Sequence, residues 1–296
     1  MLLPPRLVKG DTIGLAAPCW RVDGQWAAPI RDGLEKMGYR VKYARNLFAD
    51  GWGYAASPEE RASDLNELIH DESVKMIFFG GGEGADDVTD LIDYAAIKEN
   101  PKLFLSYSDG TSILNSVWAN TGVCVLYGQT PGIIPGIADY NLDQFERFTA
   151  GFPDGHIANS KWHCLVPGEA RGTLIGGYLA NVIYLCAMGR IPSEDDKRYV
   201  LFVEDHEKFF GIESESAYIG RLEQCGILKR CAGLLFGHYS APVNGHLLER
   251  LCRLGEKWHI PVAYSDDFGH GENRAILPIG AEATLNTQCC TLTYHW

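Results

Sequence analysis

Ser108 is the first residue of this chain whose surroundings suggest nucleophilic chemistry. It lies in the string Ser106-Tyr107-Ser108-Asp109-Gly110, between an apolar run and a predicted helix. A serine on a sharp strand-to-helix turn exposes its hydroxyl, and the amide of the next residue, Asp109, can help to hold an oxyanion. The small residues at 106 and 110 form a weak variant of GxSxG. Serine is also a preferred helix N-cap, and this string alone favours the N-cap interpretation.

An acid and a base that could serve such a serine follow later in the chain. Glu204 comes directly after the apolar run 199–203, where a carboxylate can orient a base, although a surface acid at the start of a loop is commoner. His270 lies between two glycines, which let the backbone present the ring freely, although such a histidine is more often structural. His206 and His238 compete with it for the role of base.

The order serine, glutamate, histidine is compatible with a catalytic triad. In a triad the histidine takes the serine proton and the acid fixes the tautomer of the imidazole. A glycine run, Gly80-Gly81-Gly82-Glu83-Gly84, follows another predicted strand, so its amides could complete an oxyanion hole. The run does not fit GxGxxG and lacks the lysine of a P-loop, so a backbone anion cradle is favoured over a dinucleotide site.

The elements around these residues predict an α/β protein. Strands and helices alternate through the first 130 residues with short connections, which predicts right-handed crossovers and a doubly wound parallel sheet. In such a sheet the site lies beyond the carboxyl ends of the strands. The second half predicts a less regular mixture of helices and strands. The predicted strands are 12–17, 39–43, 74–79, 102–107, 123–127, 172–177, 199–203, 234–237, 283–285 and 291–294.

Length and punctuation predict two domains. At about 150 residues per domain, 296 residues suggest two. Glycines and prolines interrupt the pattern between about 130 and 168, which is typical of a linker. We therefore predict an N-terminal domain over 1–135, a linker over 136–168 and a C-terminal domain over 169–296.

Composition limits the classes of partner and compartment. The 38 acidic residues exceed the 26 basic ones, for a net charge of −12, which disfavours nucleic acid and anionic membranes as partners. No apolar run approaches the roughly 20 residues that cross a bilayer, and no signal peptide is recognisable. Nine scattered cysteines without CxxC spacing indicate a reduced, cytoplasmic protein without a zinc site.

Taken together, these strings resemble the LD-carboxypeptidase family of serine peptidases, which also contains the microcin C self-immunity proteins. Each piece is short, but their order and spacing are specific, and they extend over nearly the whole chain. The matching pieces are Leu7–Ile13, Ala17-Pro18, Arg61–Leu65, Tyr107-Ser108-Asp109 with Thr111, Gly172–Gly177, Leu201–Asp205, Ile260–Val262, Gly269-His270 and Leu277–Gly280.

The resemblance implies a Ser-His-Glu hydrolase with Ser108, His270 and Glu204 as its triad. It also implies an oxyanion hole from the amides of Asp109 and Gly82, and no metal or cofactor. The implied fold is a flavodoxin-like N-terminal domain plus a smaller, swivelling β/β/α C-terminal domain, often as a homodimer, with the site between the domains. The implied substrates are murein tetrapeptides or, in the self-immunity branch, amides between an aminoacyl group and a nucleotide analogue.

Several residues depart from the family pattern near the expected pocket and make the substrate less certain than the chemistry. Gly80 stands where arginine is usual, Glu83 where tyrosine or asparagine is usual, and Ser106 where glycine is usual; Gln129 replaces proline and Tyr178 replaces asparagine. We take Glu83, Gln129 and Tyr178 as candidate substrate-binding residues. Arg274 and Arg171 are candidate cations for a substrate carboxylate, and Trp162 is a candidate for stacking on a base. A degenerate, ligand-binding relative remains an alternative.

Overall fold

The computed structural model describes residues 1–128, 139–192 and 197–296. Two compact units divide the chain, residues 1–152 and 153–296. The first unit has strands β1 (Thr12–Ala16), β2 (Arg40–Tyr43), β3 (Val74–Phe79), β4 (Leu103–Ser106) and β5 (Val125–Tyr127) and helices α1 (Gly24–Lys36), α2 (Pro58–His70), α3 (Tyr94–Glu99), α4 (Thr111–Thr121) and α5 (Asp139–Ala150). The second has β6 (His163–Val166), β7 (Glu169–Tyr178), β8 (Tyr199–Glu204), β9 (Cys231–His238), β10 (Val262–Gly269), β11 (Leu277–Ile279), β12 (Glu282–Asn286) and β13 (Thr291–His295), with α6 (Leu179–Ala187), α7 (Ile212–Gln224) and α8 (Gly245–Trp258).

The first unit contains a parallel sheet in the order β2-β1-β3-β4-β5. This is the flavodoxin-like order of a doubly wound sheet, as the sequence and the resemblance predict. Every residue of β1, β4 and β5 is buried, because strands of a parallel sheet are covered by helices on both faces. The glycine run follows β3 and Ser108 follows β4, so both lie at the carboxyl edge of neighbouring strands.

Local signals explain where the helices of this unit begin. Ser57 accepts a hydrogen bond from the Glu60 amide while the Glu60 side chain accepts one from the Ser57 amide, which is a complete capping box at the start of α2. Between the glycine run and Asp93 the chain forms a 3-10 helix over Ala85–Leu91. Asp93 caps the separate α3, because its carboxylate accepts from the Ala96 amide.

Residues 136–168, predicted as a linker, contain regular structure. Helix α5 and strand β6 lie within this range, and the boundary between the two units falls after Phe152. Phe145 and Phe148 of α5 are buried on one face of an amphipathic helix. The glycines and prolines on either side of this helix led to its interpretation as a linker.

The second unit contains a mixed sheet of seven strands within residues 153–192 and 197–296. Its order is β13-β12-β7-β8-β9-β10-β6, with β7 to β10 parallel and the strands outside them antiparallel. Helix α8 buries Leu247, Leu251 and Leu254 at helical spacing. The carboxyl ends of the four central strands carry Tyr178, Glu204, His238 and Gly269.

Two further properties concern the whole described chain. All nine cysteines are free thiols. Across the ranges described by the structure, every helix is too short or too polar to cross a bilayer.

Candidate active site

Ser108 lies on a strained turn in the first unit. Its φ of 54° places a non-glycine residue in the left-handed region, a conformation that costs roughly 1–2 kcal/mol and clusters at functional positions. Neither the 3-10 turn that begins at Ser108 nor helix α4 has a side-chain cap, and the N-cap residue of α4 is Gly110. Ser108 is therefore not the helix N-cap that the string alone favours.

Close packing fixes the turn that carries Ser108. A Cβ on Gly110 would lie 2.0 Å from the Ser106 hydroxyl oxygen, which explains the small residues two positions before and after Ser108. A Cβ on Gly81 would lie 2.4 Å from the Ser108 Cβ, so the glycine run packs directly on the serine. The Ser108 amide donates to the Tyr127 hydroxyl oxygen (3.1 Å), which ties the turn to the end of β5.

The glycine run is anchored at its far end by two buried side chains. The Asp109 carboxylate accepts from the Ala85 amide at 2.8 Å. Arg61, 2% exposed, donates to the carbonyls of Gly84 (2.8 Å), Pro18 and Ala56. These bonds hold the loop between β3 and the 3-10 helix in one conformation. Arg61 belongs to the string Arg61–Leu65, which matches the family, but the sequence did not predict its position against this loop.

An aromatic cavity of about 250 Å³ adjoins the start of the glycine run. Trp20, Trp26 and Tyr107 line it together with Gly80 and Gly81. A Cβ on Gly80 would lie 3.4 Å from the Trp26 ring, so an arginine at that position would compete with the indole for space.

Two further candidate substrate-binding residues of the N-terminal half are Glu83 and Gln129. Glu83 is exposed and its amide donates to the Cys19 carbonyl at 3.1 Å. Gln129 lies outside the described residues.

In the second unit, His270 and Glu204 form a buried hydrogen-bonded pair. The Nδ1 atom of His270 lies 2.8 Å from the Glu204 Oε2 atom, and the Glu204 side chain is fully buried. Burial lowers the pKa of His270, but the charge and the hydrogen bond of Glu204 raise it by more, so the net shift is upward. The arrangement leaves Nε2 as the ring atom that can exchange a proton with a substrate or nucleophile.

Glycines let this pair form between strands that are not neighbours. Glu204 ends β8 and His270 follows β10, with β9 between them. A Cβ on Gly237 of β9 would lie 2.8 Å from the Glu204 Cβ, and one on Gly269 would lie 3.0 Å from the Glu204 Oε2 atom. Side chains at either position would displace the carboxylate from the imidazole.

The two competing histidines have other partners. The Nδ1 atom of His238 lies 2.7 Å from the Asp266 Oδ1 atom. The Nδ1 atom of His206 accepts from the Lys208 amide at 3.0 Å. Glu204 is therefore hydrogen-bonded to His270, as a catalytic triad requires, and neither His206 nor His238 takes that place.

A cavity of about 540 Å³ opens beside His270 within the second unit. Arg274 and Lys208 line it, as do His206, His238 and Asp266. The cavity therefore presents two cationic side chains near the imidazole. Arg171, the other candidate cation, is exposed on β7 opposite Thr284 and is not among the described lining residues.

Tyr178 and Trp162 both make side-chain contacts within the second unit. The Tyr178 ring meets the His270 ring edge-to-face at 5.6 Å between centroids, and its hydroxyl donates to Asp205 at 2.9 Å. Trp162 is 6% exposed and donates from Nε1 to the buried Asp267 carboxylate at 2.7 Å. Trp162 therefore packs within the second unit, and Tyr178 supports the imidazole.

Sequence reasoning missed two acidic residues behind this pair. Asp205 and Glu215 are fully buried close to Glu204. The only signal for Asp205 was the Glu-Asp dipeptide at the end of an apolar strand. Glu215 lies at the start of α7, where an acidic residue ordinarily indicates a solvated first turn.

Comparisons with known proteins find family matches in both units of the chain. The chain matches the family models of the LD-carboxypeptidase N-terminal domain over residues 13–128 and the LD-carboxypeptidase C-terminal domain over residues 171–285. A probable murein peptide carboxypeptidase of Bacillus subtilis (strain 168) is 30% identical over 300 residues, which cover 96% of this chain and 91% of that protein. This chain belongs to the LD-carboxypeptidase family. The family assignment from the sequence is thus confirmed.

More distant relatives of this LD-carboxypeptidase family member include immunity proteins. The microcin C7 self-immunity protein MccF of Escherichia coli is 23% identical over 325 residues, with 96% of this chain and 93% of that protein covered. The crystal structure of an MccF-like protein from Bacillus anthracis has a TM-score of 0.89 at 24% identity and covers 99% of both chains. A muramoyltetrapeptide carboxypeptidase from Oxalobacter formigenes has a TM-score of 0.79 at 22% identity, covering 96% of this chain and 97% of that chain. These likenesses confirm the two-domain α/β fold.

Proposed function

We propose that this protein is a serine hydrolase that cleaves an amide bond of a small, murein-like peptide. The observation that carries the proposal is the 2.8 Å bond between His270 Nδ1 and the fully buried Glu204. A buried carboxylate on Nδ1 fixes the tautomer that accepts a proton at Nε2, which is the task of the acid in a catalytic triad. The strained turn of Ser108 supports its assignment as the nucleophile.

The reaction follows acyl-transfer chemistry. The Ser108 hydroxyl attacks the substrate carbonyl while His270 takes its proton. The amides of Asp109 and Gly82 stabilise the oxyanion, and each lost donor would cost roughly 3 kcal/mol in the barrier. His270 then gives the proton to the leaving amine, and a water molecule, activated by the same imidazole, hydrolyses the acyl-enzyme.

The cations of the second-unit cavity support a substrate with a free carboxylate. Arg274 lines the same cavity as His270, as does Lys208. A guanidinium binds a carboxylate with two parallel hydrogen bonds, so we assign Arg274 the terminal carboxylate of a peptide. The family relative named as a murein peptide carboxypeptidase supports a tetrapeptide as the first substrate to assay.

A direct experiment tests the nucleophile and the substrate together. The wild type and Ser108→Ala are incubated with a fluorophosphonate, a murein tetrapeptide and an aminoacyl sulfamoyl nucleotide. Ser63→Ala is the matched control, because Ser63 is exposed on α2. We expect labelling and release of terminal D-alanine by the wild type and the control, and neither by Ser108→Ala.

Other outcomes of this experiment decide among the alternatives. Cleavage of the sulfamoyl nucleotide alone would replace the peptide substrate with that of the self-immunity branch. Equal hydrolysis by Ser108→Ala would refute the nucleophile. A wild type that neither labels nor cleaves would favour a ligand-binding relative.

A further inference from the structure

Three acidic side chains are buried together behind the imidazole. Glu204, Asp205 and Glu215 are each 0% exposed. Burying an ionised carboxylate is costly unless it is paired. Within residues 1–128, 139–192 and 197–296, no lysine or arginine forms an ion pair with Asp205 or Glu215. The cluster therefore needs another means of reducing its charge.

Asp205 and Glu215 have fewer hydrogen-bond donors around them than their carboxyl oxygens could accept from. The Asp205 Oδ1 atom accepts from the His206 amide at 2.7 Å and from the Tyr178 hydroxyl at 2.9 Å. The Asp205 Oδ2 atom and both Glu215 carboxyl oxygens have no N–H or O–H partner among the described residues. Asp205 and Glu215 nevertheless lie within hydrogen-bonding reach of each other. A proton held between the two carboxyl groups would give a partner to the Asp205 Oδ2 atom and to one of the two Glu215 oxygens.

The same surroundings determine which group holds that proton. Burial raises the pKa of both carboxyl groups, and the negative charge of Asp205 raises the pKa of Glu215 further. Hydrogen bonds from the His206 amide and the Tyr178 hydroxyl favour the anionic form of Asp205, whereas Glu215 lacks such donors. These donors favour Glu215 as the acid and Asp205 as the anion of the pair.

We propose that Glu215 is a protonated positioning residue, which donates a hydrogen bond to Asp205 and thereby holds Tyr178 against the ring of His270. The proposal rests on the proposed function in one respect, that His270 is the catalytic base. Tyr178 meets the His270 ring at 5.6 Å between centroids, and Phe209, in the loop after Asp205, meets it at 5.1 Å. Asp205 thus links Glu215 to the imidazole through the Tyr178 ring, which also meets Phe209 edge-to-face.

Ionisation of Glu215 would disturb this arrangement. The titratable groups that face it are Asp205 and Glu204 at the end of β8, and Tyr178 and Tyr239 at the ends of β7 and β9. None of them supplies a positive charge. Because the folded state raises the pKa of Glu215, stability is greatest below the ordinary glutamate pKa and falls as the pH rises towards the raised pKa.

Isosteric and apolar replacements of Glu215 distinguish the effect of its proton from the effect of the shape of its side chain. Glu215→Gln keeps a donor for Asp205 and cannot ionise, whereas Glu215→Leu has no donor. Glu213→Gln is the matched control, because Glu213 is exposed on the same turn of α7. Melting temperature and kcat/KM are measured for each from about pH 6 to about pH 10.

The expected results differ among the variants. The melting temperature of the wild type and of Glu213→Gln falls with rising pH, and that of Glu215→Gln falls less. Glu215→Gln keeps kcat within about twofold at neutral pH and lacks the alkaline loss of activity. Glu215→Leu lowers kcat at least about tenfold while KM changes little, because the imidazole is misplaced.

Two results would overturn the proposal. One is a pH dependence of melting that is the same in Glu215→Gln and the wild type, since the proton would then not reside on Glu215. The other is a kcat for Glu215→Leu equal to that of the wild type. The melting experiment needs no substrate, so it decides the protonation of Glu215 even if the proposed hydrolase activity fails.

Discussion

The candidate residues of the two halves of the chain obtain their chemistry in different ways. In the first unit the important groups are backbone amides and a strained serine. They are fixed by glycines packed so closely that an added Cβ would lie 2.4 Å or less from a neighbouring side-chain atom. In the second unit the important groups are side chains, Glu204, His270, Asp205 and Glu215, whose properties come from burial. One half therefore depends on backbone geometry, and the other depends on the energy of buried charges.

The difference predicts that a conservative charge change at the buried acid of the second half, Glu204, has a large effect. Glu204→Gln should lower kcat by about 10⁴-fold, because an amide that donates to Nδ1 holds the tautomer whose Nε2 is already protonated. Steady-state kinetics with the proposed murein tetrapeptide measures the loss. Glu207→Gln, an exposed change three residues along, serves as the control. A loss below about tenfold would remove Glu204 from the triad.

Adding a single methyl group should affect the first half instead. Gly81→Ala places a Cβ against the Ser108 Cβ, and a displacement of about 1 Å at the nucleophile costs about 10²-fold in kcat. Gly24→Ala is the control, since nothing lies within 4 Å of its added Cβ. Circular dichroism establishes that both variants fold. Equal activity in the two variants would contradict the idea that the glycine run fixes the serine.

The pKa of His270 can be measured without a substrate, and it tests the effect of the buried Glu204 in the second half. Its pKa is raised above the ordinary histidine value because the charge and hydrogen bond of Glu204 outweigh the lowering effect of burial. The stability from this pair is full below the ordinary pKa and is lost as the pH rises through the raised one. NMR titration of the His270 ring should show a lower pKa in Glu204→Gln than in the wild type. A pKa that is unchanged or higher would contradict the assignment.

The smallest effects concern two glycines of the second unit. Gly220→Ala should stabilise the protein by about 0.5–1 kcal/mol, because the position lies inside α7 with nothing within 4 Å of the added Cβ. Gly237→Ala should destabilise it by about 1–3 kcal/mol, since its Cβ would meet Glu204 and Phe268 at under 3 Å. Chemical denaturation measures both. The same sign for both would show that β9 adapts to an added methyl group.

Much of the fold follows from local pattern. The alternation of strands and helices predicted the parallel sheet of the first unit, and strand β3 begins and ends where the sequence placed it. These signals act within a few residues, so they survive in the sequence alone. Helix α5 was missed because glycines and prolines on both sides of it are typical of a linker.

The candidate site residues also separate into features that follow from the sequence and features that depend on the tertiary structure. The sequence by itself determined the residue types, the strand ends that carry them and the small neighbours of Ser108. Only the tertiary structure decided that His270, and neither His206 nor His238, meets Glu204, and that Trp162 is buried on Asp267. The physical reason is that these pairings depend on the lateral order of strands and on burial, both of which join residues far apart in the chain.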